Sequence, residues 1–313
     1  MHLGNQNKSD KSLDIYIIAG PTASGKSSLA LRLASDIGGV IINADSMQVY
    51  KELSILTARP SEEDEALVPH KLYGTMSVAE KNSAVKWREM ALAEINNARK
   101  LNKTSILVGG TGLYFKTLLE GLAQIPPISP QASVEAKALL EELGVENMYK
   151  KLVKIDPKIA SKISQNDSQR ISRAIEVFIS TGIPLSEWHE SAKLLPPLGG
   201  NVKKILFDPP REVLYRACDQ RFELMLEKGA LEEVDKLIRL PLDPSHPILK
   251  VLGVRELALF LKGEIELDLA KKRSQQATRR YAKRQSTWFR NQFGKSKRLS
   301  AQYSESLYRK NFS

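Results

Sequence analysis

Short apolar runs alternate with amphipathic stretches through the first third of the chain. Ile15 to Ala19, Val40 to Ala44 and Thr104 to Val108 are such runs, rich in β-branched side chains and too short for helices. Apolar runs of this length, without polar alternation, predict parallel strands covered on both faces. Between them the spacing turns helical. Ser28 to Ala34 predicts a helix ended by Gly38-Gly39, and Asn82-Ser83 caps a second from about Ala84 to Lys100, with Val85, Leu92 and Ile95 at helical spacing. Leu56 to Pro60 and the acidic run Glu62 to Glu65 read as loop and helix start, and Pro69 to Tyr73 as another short connection. Strands alternating with helices predict an α/β fold around a parallel sheet.

From Gln124 to Pro130 the chain turns proline-rich, which marks departure from that core. Ser133 to Trp188 then reads as helices with no convincing strand. Pro196-Pro197 to Gly199-Gly200 forms a second junction, after which Val202 to Phe207 predicts a strand returning to the sheet. Helical spacing continues over Arg211 to Gly229, Leu231 to Arg239, His246 to Lys262, and Leu269 to about Asn291. The expected organisation is a core in two parts, 13–124 and 199–295, around a helical insertion at 125–198. Residues 1–12 and 296–313 are expected to be flexible tails.

The first strand runs directly into Gly20, Pro21, Thr22, Ala23, Ser24, Gly25, Lys26 and Ser27, which fit G-x-x-x-x-G-K-[ST]. In a strand–loop–helix setting this pattern is a phosphate-binding loop. Its backbone N–H groups cradle a di- or triphosphate at the helix N-terminus, the lysine reaches the outer phosphate, and the serine hydroxyl sits on Mg²⁺. The second strand delivers Asp45, Ser46, Met47 and Gln48 to the edge where open α/β sheets place ligands. The third ends in Gly109-Gly110-Thr111-Gly112, without the Asp that nucleotide-hydrolysing P-loop proteins use to help hold Mg²⁺. The available carboxylate is Asp45. It could hold metal, act as a base, or simply cap a helix.

With 313 residues and 42% hydrophobic composition the chain can bury a full core. No apolar run approaches the roughly 20 residues of a membrane span, and Met1 to Ser12 lacks the apolar centre of a signal peptide. Cys218 is the single cysteine, which excludes an intrachain disulfide and a cysteine-based zinc site. A cytoplasmic protein is expected. The net charge of +11 is local: Leu269 to Ser304 contains no Asp or Glu but eleven Lys and Arg, and the remainder is balanced. Within that segment Lys272, Arg279, Lys283 and Arg290 form one helical stripe, with Tyr281 and Trp288 on another face suited to the core. Such a one-sided stripe points to a polyanion partner and phosphate-backbone contact.

These motifs, in this order, resemble the bacterial tRNA dimethylallyltransferases, also called isopentenyl-diphosphate:tRNA transferases. The matching segments are GPTASGKS (Gly20–Ser27), DSMQVY (Asp45–Tyr50), TARP (Thr57–Pro60), Pro69-His70 and VGGTGLYFK (Val108–Lys116). They continue with NDSQRISRAIEV (Asn166–Val177), DQRF (Asp219–Phe222) and TRRYAKRQSTWFR (Thr278–Arg290). The resemblance implies a P-loop NTPase-like α/β core with a parallel sheet and an inserted all-helical domain that grips RNA. It implies transfer of a dimethylallyl group from dimethylallyl diphosphate to the exocyclic amine of the adenosine just 3′ of the anticodon. By position, Asp45 looks like the base and Thr111 its neighbour at the adenosine, while Lys26, Arg221 and a Mg²⁺ near Ser27 neutralise the diphosphate. Contacts to the tRNA anticodon stem-loop are implied for residues 45–48, Thr111, Gln169, Arg170, Ile171, Ser172 and Arg173, with Arg279 and Lys283 contributing from the basic stripe. A monomer with no membrane contact is expected.

Three departures stand out: Leu56 replaces a family glycine, Ser133 stands where many members carry an RNA-contacting arginine, and Lys250 opens a segment that usually begins with arginine. A P-loop small-molecule kinase remains an alternative, which would need ATP and tolerate loss of the basic helix. A non-catalytic, nucleotide-sensing RNA-binding protein is a third, and it leaves Asp45 and the Gly-Gly-Thr turn idle.

Overall fold

The expected strand β1 (Ile15–Ala19) forms, and its side chains divide between the two faces of a sheet. Ile17 and Ala19 pack into one apolar cluster and Ile18 into a second, as period-2 alternation requires. In the computed structural model, which describes residues 14–80, 82–190, 194–195 and 198–312, two compact units are present: 1–119 with 198–313, and 120–197. The first unit begins with β1, α1 (Lys26–Ile37), β2 (Val40–Asn43), α2 (Glu62–Leu67), β3 (His70–Lys71), α3 (Ala84–Lys100), β4 (Ser105–Gly109) and α4 (Gly112–Leu119). Ser83 caps α3 by accepting Lys86 N–H at 3.1 Å. Trp87 pins this helix to the sheet: its ring is fully buried, stacks on Tyr114 at 4.1 Å, and donates from Nε1 to Asn43 O at 2.8 Å.

The second unit holds β5 (Leu122–Ala123), α5 (Pro130–Ile155), α6 (Pro157–Ala160), α7 (Ser168–Thr181), α8 (Leu185–Glu190) and β6 (Leu194–Leu195). Gly144, at φ 69°, breaks α5 into two helical segments. Its core gathers Met148 and Leu152 of α5 with Ile171, Ala174, Ile175 and Val177 of α7. Asp167 caps α7 by accepting Arg170 N–H at 3.1 Å, and Gly182 ends it in the left-handed region.

The chain re-enters the first unit and continues with β7 (Val202–Phe207), α9 (Arg211–Glu227), α10 (Ala230–Ile238), α11 (Val254–Leu261), α12 (Leu267–Gln292), β8 (Lys297–Leu299) and α13 (Glu305–Phe312). The sheet order is β3-β2-β4-β1-β7-β8 and every pairing is parallel. β1 therefore lies between β4 and β7, with Ile17 opposite both Leu107 and Lys204. The C-terminal ends of β1, β2 and β4 deliver residues 20–27, 45–48 and 109–112 to one edge of the sheet.

Several expectations are corrected. Pro69 to Tyr73 is more than a connection, because it contains the edge strand β3, held where Ile41 N–H donates to Pro69 O at 2.9 Å. The helix expected from His246 to Lys262 is interrupted. A 3₁₀ turn, Pro247–Lys250, precedes Gly253 at φ 95°, and α11 starts only after that glycine. Residues 297–312 are no tail: β8 pairs with β7, and Leu299 and Tyr308 are buried against α1 and the sheet. The insertion, expected to be all-helical, also carries an antiparallel ribbon of β5 and β6. The tail expected at 1–12 lies outside the described residues.

Candidate active site

Left-handed backbone at Ala23 (φ 60°) and Gly25 (φ 91°) turns the loop after β1. Ser24 N–H donates to Pro21 O at 3.3 Å, and Lys26 folds back to donate from Nζ to the same oxygen at 3.2 Å. Residues 22–28 line a cavity of about 290 Å³ together with Asp45, Gln48, Thr57, Ala58 and Arg221. Arg221, on α9, donates from Nη2 to Thr22 Oγ1. The structure thus brings Lys26, Ser27, Asp45 and Arg221 around one space. Ser24 Oγ also belongs to this loop, and it is buried without a hydrogen-bond partner.

The cavity's electrostatics favour an added anion. Burial, and then the neighbouring charge of Arg221, push the Lys26 ammonium down to about 8, against opposing pulls from Asp45 and Cys218. Burial likewise lowers Arg221 below its ordinary value. Two partly desolvated cations face one carboxylate, so negative charge entering the cavity relieves both.

Asp45 is held by the fully buried Asn43 at the end of β2. Asn43 Oδ1 accepts Asp45 N–H at 2.8 Å, and its Nδ2 donates to Asp45 O and Leu72 O, each at 3.0 Å. Asp45 Oδ1 accepts Met47 N–H at 2.9 Å, an Asx turn rather than the cap of a helix. Its Oδ2 has no partner among the described residues. Thr111 stands beside this turn, accepting Ser46 N–H at 3.0 Å. Gln48 donates from Nε2 to Thr57 O at 2.8 Å and Ala58 O at 2.9 Å, fixing a loop whose Ala58 is left-handed (φ 53°). The Glu233 carboxylate holds the same loop from α10, accepting the N–H groups of Ser54, Ile55 and Leu56 at 2.5–2.9 Å. Leu56, the departure from the family glycine, is buried here and packs in the core.

Gln285 was not among the expected site residues. From α12 its Oε1 accepts Thr22 N–H at 2.8 Å and its Nε2 donates to Gly110 O at 2.9 Å, which ties the phosphate loop to the Gly-Gly-Thr turn. A Cβ at Gly110 would lie 2.2 Å from Gln285 Nε2, so only glycine admits this approach. The detectable signal was a spacing. Ser274, Thr278, Ala282, Gln285 and Phe289 form the buried stripe of α12; of the two aromatics expected to face the core, Trp288 packs against it while half-buried, and Tyr281 is half-buried beside the stripe.

The basic stripe of α12 is also revised. Although its own segment lacks acidic residues, distant ones meet it: Arg279 pairs with Asp219 at 2.5 Å, and Arg290 forms a bidentate pair with Asp208 at 2.8–3.0 Å. Lys272 pairs with Asp268 at 2.7 Å. Lys283 alone of the four has no carboxylate partner among the described residues. It shares an open groove on α12 with Arg280, Arg284 and Trp288.

In the other unit Gln169, Arg170 and Arg173 are exposed on α7, and Ser172 is half-buried. Ile171 is fully buried in the unit's core, which removes its side chain from any RNA surface. Arg173 pairs with Glu176 at 2.6 Å, and Ser133 donates to the same carboxylate.

A parallel sheet whose central strand feeds a phosphate loop, with a carboxylate on a nearby strand end and an arginine over the loop, defines a P-loop NTPase-like α/β protein. The model of the IPP transferase family matches residues 48–292, and the chain belongs to that family. It is 48% identical over 285 residues to the tRNA dimethylallyltransferase of Rhodospirillum centenum, covering 91% of each chain. Identity to the corresponding Rhodopseudomonas palustris (strain BisB18) protein is 50% over 278 residues, 88% of this chain and 87% of that one. Among solved structures, a eukaryotic dimethylallyltransferase acting on tRNA superposes with a TM-score of 0.80 at 28% identity, covering 96% of this chain and 77% of that one. The tRNA isopentenylpyrophosphate transferase of Bacillus halodurans gives 0.67 at 30% identity, covering 95% and 93%.

Proposed function

We propose that this chain transfers a dimethylallyl group from dimethylallyl diphosphate to the exocyclic amine of the adenosine 3′-adjacent to the anticodon of tRNA, releasing diphosphate. The observation that carries this reading is the pair of desolvated cations, Lys26 and Arg221, in one cavity with the Asp45 carboxylate. The loop amides, the unpartnered Ser24 hydroxyl, Lys26 and Arg221 take up the charge that develops as the allylic C–O bond breaks. The amine nitrogen forms the new bond to that carbon, and its proton passes to Asp45 Oδ2. Thr111, beside the Asp45 turn, positions the adenosine. The target base must leave the anticodon-loop stack to reach this space.

Mg²⁺ fits the donor set. Among the described residues no three His, Cys, Asp or Glu side chains gather to hold a metal by themselves. Ser27, on the cavity wall, would hold such an ion through its hydroxyl, with Asp45 on the same wall. Bound there, Mg²⁺ supplies further neutralisation of the departing diphosphate.

Each unit offers exposed cations to the tRNA backbone: Lys283, Arg280 and Arg284 on α12 in the first, and Arg170 and Arg173 on α7 in the second. No helix among the described residues is long and apolar enough to cross a membrane, and a tRNA substrate supports a cytoplasmic location. The enzyme is read as a monomer. Incubation with dimethylallyl diphosphate, Mg²⁺ and unmodified tRNA, followed by nucleoside analysis, should give prenylated adenosine. Asp45→Ala should slow transfer by about 10²–10⁴-fold while tRNA affinity is retained. Near-parental turnover in that variant removes Asp45 from the chemistry, and ATP consumption without a prenylated nucleoside sinks the transferase reading altogether.

A further inference from the structure

A phosphate loop that turns its N–H groups toward an anion must turn carbonyls the other way, and those carbonyls need partners. Pro21 O is met by Lys26. Ala23 O is met by Gln302, whose Nε2 donates to it at 3.1 Å from the connection between β8 and α13. Ala23 is left-handed without being glycine, a conformation that persists only where the surroundings hold it. The next residue of the C-terminal segment closes the other side of the turn: a Cβ at Gly25 would lie 2.8 Å from both the backbone N and the Cβ of Tyr303.

The segment itself is firmly anchored. β8 pairs with β7, Asp208 N–H donates to Leu299 O at 2.9 Å, and Tyr308 donates to Asp36 on α1 at 2.6 Å. Gln302 therefore hangs between two fixed points, directly against the loop. The matched family region stops at residue 292, before any of this begins.

We propose that the connection between β8 and α13 is a working part of the donor site, with Gln302 as a positioning residue that holds the phosphate loop in its anion-binding shape. This rests on the reading of the loop as a diphosphate site. Gln302 touches no substrate. It fixes the Ala23 peptide, and the orientation of that peptide decides whether the adjoining N–H groups face the anion.

The test measures pyrophosphate affinity by calorimetry and KM for dimethylallyl diphosphate on the full chain. Gln302→Met keeps the length of the side chain and removes the donor. It should weaken pyrophosphate binding and raise the donor KM by about three- to tenfold, the worth of one hydrogen bond, with kcat, tRNA affinity and thermal midpoint near the parent's. Tyr308→Phe removes an anchor remote from the loop, and should lower the thermal midpoint while leaving pyrophosphate affinity in place. Lys26→Met supplies the control on the underlying reading. If Lys26→Met weakens pyrophosphate binding and Gln302→Met does not, the positioning role is refuted. The same follows if Gln302→Met and Tyr308→Phe shift affinity and midpoint alike. If Lys26→Met changes nothing, the loop is no diphosphate site and both readings fall.

Discussion

Raising the pH from 7 to 9 should weaken diphosphate binding about tenfold, and Lys26 should account for the loss. Burial and Arg221 bring its ammonium from 10.5 down to about 8. In the unliganded protein about nine molecules in ten then carry the charge at pH 7, and about one in ten at pH 9. The donor's own phosphates are ionised throughout this interval, since a second phosphate ionisation falls near about 6. A bound diphosphate restores the lysine's proton, so binding takes up almost no proton at pH 7 and close to one at pH 9. Stability moves the other way. Between the folded value and 10.5 the unfolded chain binds more protons, so the unliganded fold gains stability as pH climbs from about 8 towards 10.5. Calorimetric titration of dimethylallyl diphosphate, without tRNA, in two buffers of different ionisation enthalpy counts the protons directly. An affinity that stays flat from pH 7 to 9, or falls equally in Lys26→Met, would refute the assignment.

Gln285→Leu preserves shape but leaves Thr22 N–H and Gly110 O unpartnered inside the protein, so it should lower stability by about 1–3 kcal/mol and reduce kcat/KM; a denaturant melt and steady-state kinetics check both. Arg280→Gln with Lys283→Gln should weaken tRNA binding and flatten the plot of log affinity against log salt by about 0.7 for each lost single-strand phosphate contact. Arg279→Gln, by contrast, breaks the Asp219 pair and should show chiefly in the thermal midpoint rather than in the salt slope.

What could be read from the chain and what could not divides along physical lines. β1, its loop and α1 are written in consecutive residues, and so are the turns bearing Asp45 and Thr111; their spacing alone places them at one sheet edge. Arg221 came through the family's DQRF segment and lands on Thr22. The two-residue β3 has no periodicity to detect, because its strand character comes from the edge of β2. The basic stripe misled for a related reason. Charge balance counted along the sequence cannot see Asp208 reaching Arg290 across 82 positions, or Asp219 reaching Arg279 across 60. Residues 297–312 looked like a tail because they are polar and short on apolar pattern. Leu299 and Tyr308 are enough to bury the segment once α1 and the sheet are there to receive it.

The sheet order sets a timetable for synthesis. A ribosome delivers β1 and the phosphate loop first, and β4 can flank β1 on one side once residue 109 has emerged. The other flank waits for β7, which comes only after the whole insertion has been made. The insertion leaves and rejoins the core at adjacent points, where Leu198 N–H donates to Leu118 O at 2.6 Å. It can therefore fold during the delay without pulling the half-built sheet apart. Until β7 arrives, the central strand presents a bare edge, the kind of surface that chaperones cover and aggregates recruit. The loop's last carbonyl partner comes later still, at residue 302. A chain interrupted before that point has made every residue of the catalytic set, yet its phosphate loop lacks the contact that holds Ala23 in place.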